Sequence, residues 1–135
     1  MALQLAVASR NAMLDAFVSE LGASPVLKIR TGSAPANVAT ADSGTVLATL
    51  SLPATAFNAA SSGAITKNGT WSDGSADNSG TAAHWRLYKS DGTTCRAQGT
   101  VTVTGGGGDL TVDSVTFNAG QAFSVSAFQI TAGNA

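Results

Sequence analysis

The sequence predicts a mainly β domain. The expected architecture is an antiparallel β-sandwich, jelly-roll-like, of about eight short strands behind one N-terminal amphipathic helix. Three observations carry this expectation. Apolar residues recur at a spacing of three and four only over residues 3–21. Beyond Pro25 the period changes to two. Turn signals then recur roughly every ten residues to the end of the chain. The length of 135 residues suits one domain over 1–135, with the helix or arm in 1–22 and the β-sandwich in 25–135.

Leu3, Val7, Arg10, Leu14, Phe17, Val18 and Leu21 form the helical stripe, with Arg10 as its one gap. Gly22 follows where a left-handed residue closes a helix, and Ser24-Pro25 prevents continuation. Leu3, Leu5 and Val7 also alternate, so the first residues are equally able to form an extended arm.

The first strand is expected over 26–31 (VLKIRT), with Leu27 and Ile29 on one face and Lys28 and Arg30 on the other. An Ala, Pro and Ser loop fills 32–44. A strand over 45–52 should point Val46, Ala48, Leu50 and Leu52 inward. Residues 54–63 are low-complexity Ala and Ser around Phe57, which should plug into the core. Residues 65–67 and 70–72 flank Asn68-Gly69, a two-residue hairpin signal. Strands over 82–89 and 94–104 are joined by a turn at Ser90-Asp91-Gly92-Thr93. The glycines of 105–108 should form a hairpin connector. Strands over 110–117 and 122–131 close the chain, each with a slip in alternation that predicts a bulge or a change of buried face.

Charge and motifs narrow the function classes. Charged residues make up 11% of the chain and the net charge is −1, without the clustered Lys and Arg that phosphate neutralisation needs, so no nucleic acid is expected. The helix has Asp15 and Glu20 against Arg10 alone, which is wrong for an anionic membrane surface. The single cysteine, Cys95, has no intrachain partner; Arg96 should point away from it, leaving a small packed side chain. The glycine run lacks the Lys-Ser/Thr of a phosphate loop, so no cofactor is expected. Asp73, Ser75, Asp77 and Ser79 space their oxygens like a calcium loop, but Asn78 stands where a glycine is needed and His84 where a glutamate is needed; an ordinary turn is expected and no metal. His84, the only histidine, has no nucleophile elbow near it and supports no triad, so no enzyme is expected. It alternates with Arg86 and Tyr88, and that row, with Leu3, Leu5, Val7 and Arg10, is the expected partner interface. Trp71 and Trp85 should anchor the core or an interface, with stacking on a sugar as the other possibility.

Several segments resemble a family of small structural proteins of tailed bacteriophages and prophages: RNAMLDA (10–16), TGSAPAN (31–37), LATLSLPATAF (47–57), GTAAHWRL (80–87) and AFQITAG (127–133). The resemblance runs through nearly the whole chain and carries no site residues with it. It implies a non-enzymatic virion component, assembled in the bacterial host cytoplasm, with the major capsid protein and copies of itself as partners in a homo-oligomeric particle. The leading expectation is a capsid decoration or cement protein that stabilises the head shell. The alternative is a tail- or fibre-associated module contacting the host surface, through a glycan on Trp85 and Tyr88.

Overall fold

A computed structural model describes residues 3–133. It contains one helix, α1 (Val7–Leu21), and eleven strands: β1 (Val26–Arg30), β2 (Val46–Ser51), β3 (Ala64–Thr66), β4 (Trp71–Asp73), β5 (Gly80–Thr81), β6 (His84–Tyr88), β7 (Cys95–Val103), β8 (Leu110–Val112), β9 (Thr116–Phe117), β10 (Phe123–Val125) and β11 (Gln129–Thr131). The protein is mainly β, with antiparallel pairing dominant.

The helix begins four residues later than its apolar spacing predicts. Ala6 is extended (φ −61°, ψ 148°) and has no side chain with which to cap the first turn. Leu3 and Val7 are therefore left exposed. Leu14 and Leu21 are buried, with Phe17 and Val18 packed beside them, so the stripe holds in the later turns. Arg10, expected as a gap in that stripe, is itself buried. Polar side chains fix the helix to the Ala and Ser segment: Asn11 Oδ1 accepts from Gly63 N–H at 2.8 Å and Asp15 Oδ1 from Ala60 N–H at 3.1 Å. At its far end Glu20 accepts from Arg96 Nε at 2.9 Å, with Lys89 Nζ at 3.7 Å.

Five strands form the main sheet in the order β2-β1-β6-β7-β8. Its core face presents Leu27, Ile29, Trp85, Leu87 and Val101, which alternation turns inward. In β2 the expected inward set changes. The register slips between Ile29 and Arg30, so Leu47 is buried while Val46 is only half-buried. The β6–β7 hairpin forms at the expected turn, where Asp91 accepts from the backbone N–H of Thr93 and Thr94.

Two connections differ from expectation. The glycine run does not make a hairpin, because β8 lies parallel to β7 with Val101 opposite Leu110. Parallel neighbours ordinarily need a crossover of about a dozen residues or more. Here residues 104–109 double straight back. Gly105 and Gly107 take φ of +89° and +81°, and a Cβ on Gly106 or Gly108 would come within 2.7 or 2.9 Å of Thr102. Two glycines supply backbone reach and two supply clearance. The second difference is at Asn68-Gly69. β3 and β4 do not pair with each other; β3 pairs with β11 and β4 with β10. Asn68 is spent on residues 55 and 56, donating its side chain to Thr55 O at 2.8 Å and its backbone N–H to Ala56 O at 2.8 Å.

The slips in the last two segments are strand breaks. β8 stays with the main sheet while β9 pairs with β5, and β10 and β11 divide between β4 and β3. Each break moves the chain to a new partner, so the buried face changes there. These ladders bring Ile65, Trp71, Phe117, Val125 and Phe128 to the same core as the main sheet. Phe57 plugs in as expected, edge-on to Trp71 at 5.3 Å, and Phe128 stands edge-on to Trp85 at 5.0 Å.

Candidate functional site

The second face of the main sheet is polar, and its register creates an electrostatic problem. Lys28 lies directly opposite Arg86 and Arg30 opposite His84 on paired strands. Lys28 and Arg86, like charges so placed, repel. The loop over 32–44 folds across this face and supplies one carboxylate, Asp42. Its Oδ1 accepts from Arg86 Nη1 at 2.6 Å and from the Tyr88 hydroxyl at 2.7 Å, and its Oδ2 accepts from Arg30 Nη2 at 3.0 Å. Arg86 also donates to the carbonyls of Val38 at 2.7 Å and Thr40 at 3.1 Å. Lys28 is accommodated differently, with Nζ 5.0 Å from the Tyr88 ring centroid. Burial pushes the Tyr88 phenol up to about 12, and the bond it donates to Asp42 acts in the same direction.

This arrangement corrects the expected interface row. His84, Arg86 and Tyr88 share a face, but that face is covered by the chain's own loop, and all three are at most 1% exposed. The His84 imidazole donates from Nδ1 to Gly32 O at 2.7 Å. Arg10 is recessed, with Nη1 donating to Ala132 O at 3.4 Å. Of the expected contact residues, Leu3 and Val7 are exposed and Leu5 is half-buried. An arm reaching back to Met1 lies partly outside the described residues. Trp85 and Tyr88 are also removed from any surface that could stack on a glycan, and Trp71 is fully buried with Nε1 donating to Asn68 O at 3.1 Å.

Arg96 points away from Cys95 as expected, toward Glu20, but the thiol still has a basic neighbour. That neighbour is Arg86: Nε donates to Sγ at 3.1 Å, and the thiol donates to Ala97 O at 3.3 Å. The thiol is one more fastening of the Arg86 side chain.

The calcium-like loop caps the β2 edge. Asp73 Oδ2 accepts from Thr49 N–H at 3.0 Å, Asp77 Oδ2 from the Thr49 hydroxyl at 2.8 Å, and Asp77 N–H donates to Leu47 O at 2.7 Å. A sheet edge left open invites pairing with another chain, and this loop closes it. Among the described residues, no three His, Cys, Asp or Glu side chains converge as a metal site would require.

Two surface recesses have about the same volume, and one of them, about 390 Å³, opens beside Asp42, Arg86 and Cys95 under the 32–44 loop. The other lies between β8 and β11, where Asp109, Lys67 and Gln129 are its main polar groups. Asp109 is committed to Thr100, accepting from its N–H at 3.0 Å, and Lys67 donates to Gly69 O. No family model, curated protein or solved structure matches the chain. Among the described residues, no helix is long and apolar enough to cross a membrane.

The residue that sequence reasoning missed is Asp42. Its signal was present: it is the one acid in the 32–44 loop, next to a strand carrying Lys28 and Arg30. Only the pairing of β1 with β6 shows that Arg86 makes the same demand.

Proposed function

We propose that the chain is a non-enzymatic structural protein of a bacteriophage particle that works by contact, as a decoration or cement protein on the head shell. The observation that carries this reading is where charge and apolar surface lie. Asp42, Glu20, Asp73, Asp77, Asp91 and Asp109 are each spent on holding the fold. Meanwhile three of the four large exposed apolar residues among those described, Leu3, Val7 and Met13, gather on the N-terminal segment. Such residues suit a docking surface, where charge is depleted and apolar side chains anchor the contact. The resemblance of residues 10–16, 31–37, 47–57, 80–87 and 127–133 to phage structural proteins supplies the setting. At the level of fold, we read the three two-stranded ladders as the second layer of an irregular sandwich over the main sheet.

The major capsid protein and further copies of the chain are the proposed partners. Attachment at the tail is the competing placement. Copy number in purified particles tests the reading. Hundreds of copies spread over the shell are expected; a handful at the tail supports the competing placement, and absence from particles overturns both.

A further inference from the structure

Among the described residues, one acid has no hydrogen-bond partner and one arginine has no acid. The chain has eight acidic side chains, all among the described residues. Seven accept hydrogen bonds already described; Asp113 has none among the described residues. Of the four arginines, Arg30 and Arg86 share Asp42, and Arg96 takes Glu20. Arg10 has no acid.

Arg10 is 7% exposed, its Nη1 donates one long bond to Ala132 O at 3.4 Å, and its buried Nε has no partner among the described residues. It sits in the first turn of α1, at the positive end of the helix dipole, which adds to the cost of its charge. A buried cation without an anion is unfavourable. Gly63 makes the room for it, since a Cβ there would fall inside the guanidinium. Exposed apolar residues flank this recessed charge on the helix, Val7 and Met13 three positions to either side, and exposed Leu3 precedes the helix in the chain. Asp113 has a matching setting. It follows Val112, the register partner of Val103, which is the fourth large exposed apolar residue. It also lines a pocket of about 170 Å³ beside Phe123 that has no cationic residue in its wall.

We propose that these two patches meet between copies, with the Asp113–Val103 end of one copy seated on the Arg10 patch of the next. One patch carries an acid and the other an arginine, each unmatched among the described residues, and each has an exposed apolar residue beside it. Because they are different surfaces, the contact is head-to-tail and generates a ring or an open row. The inference deepens the proposed assembling role but concerns the isolated chain, so its failure leaves the particle count as a separate result.

Sedimentation velocity of the full chain over a concentration series tests it. The wild type should self-associate, less so at high salt. Asp113→Lys should weaken association at least about tenfold, since it sets a lysine against an unpaired arginine. Met13→Glu should weaken it as well. Both positions are exposed, so circular dichroism and the urea midpoint should remain those of the wild type. A wild type that stays monomeric to millimolar concentration overturns the proposal. So does an Asp113→Lys protein that is folded and associates as the wild type does.

Discussion

Asp42 decides whether the polar face of the main sheet is tolerable. Two guanidiniums, one almost wholly buried, depend on a carboxylate whose side chain is 37% exposed. Breaking a buried pair costs about 3–5 kcal/mol, and partial exposure of the acid places this case near the lower figure. Asp42→Asn should therefore lower stability by about 3 kcal/mol in urea unfolding; a loss below about 1 kcal/mol would show that the loop carbonyls suffice for the arginines. Tyr88 gives an independent reading of the same network. It is the only tyrosine in the chain, so phenolate absorbance reports it alone. Its folded pKa is raised to about 12 from an ordinary value of 10.0. The folded state thus holds the proton more tightly, and the stabilisation is present below pH 10 and lost as pH rises toward 12. Spectrophotometric titration should show phenolate appearing near 12 in the folded protein and near 10 in denaturant. Coincident titrations would contradict the buried Tyr88–Asp42 bond. Asp91, by contrast, is held well below the usual carboxylate range by the Thr94 hydroxyl and then by backbone N–H groups, while its own side chain stays exposed.

Among the elements, the connector between β7 and β8 is the most demanding. Its parallel return requires clearance over Thr102, so Gly106→Ala should destabilise the protein by about 1–3 kcal/mol, as overpacking does. Gly74→Ala has open space around its Cβ and should stay within about 0.5 kcal/mol of the wild type. Equal thermal shifts for the two variants would contradict this view of the connector. The same connector marks the limit of what alternation and turn chemistry reveal. Local rules located α1, β1, β2, β6 and β7, because each is fixed by its own period and its own turn. They placed Phe57 in the core and made Ser90-Asp91-Gly92-Thr93 a hairpin. They failed where pairing is non-local: Asn68-Gly69 has hairpin composition, yet β3 and β4 find partners some fifty residues or more away. The slips near 113 and 126 were visible, but their meaning, a transfer between ladders, depends on strands far off in the chain. The polar row of β6 was legible as a row, whereas its cover, the 32–44 loop, has no periodicity to place it.

At the scale of the whole molecule, charge is used mainly inside the fold. The acids cap an edge, close a turn, pin the helix and hold a loop over the sheet. What remains outside is a weakly charged surface, apolar around Leu3, Val7 and Met13 and again at Val103. Adhesion between neutral surfaces gains little from one contact and much from many, so the proposed role depends on repetition around a symmetric particle. The direct measurement is the number and position of copies in purified particles, by quantitative mass spectrometry and image reconstruction. The account predicts a repeating density on the outer shell that accommodates this fold, in stoichiometric ratio to the shell subunit. Particles assembled in a host that expresses the chain and yet lack it would contradict the account.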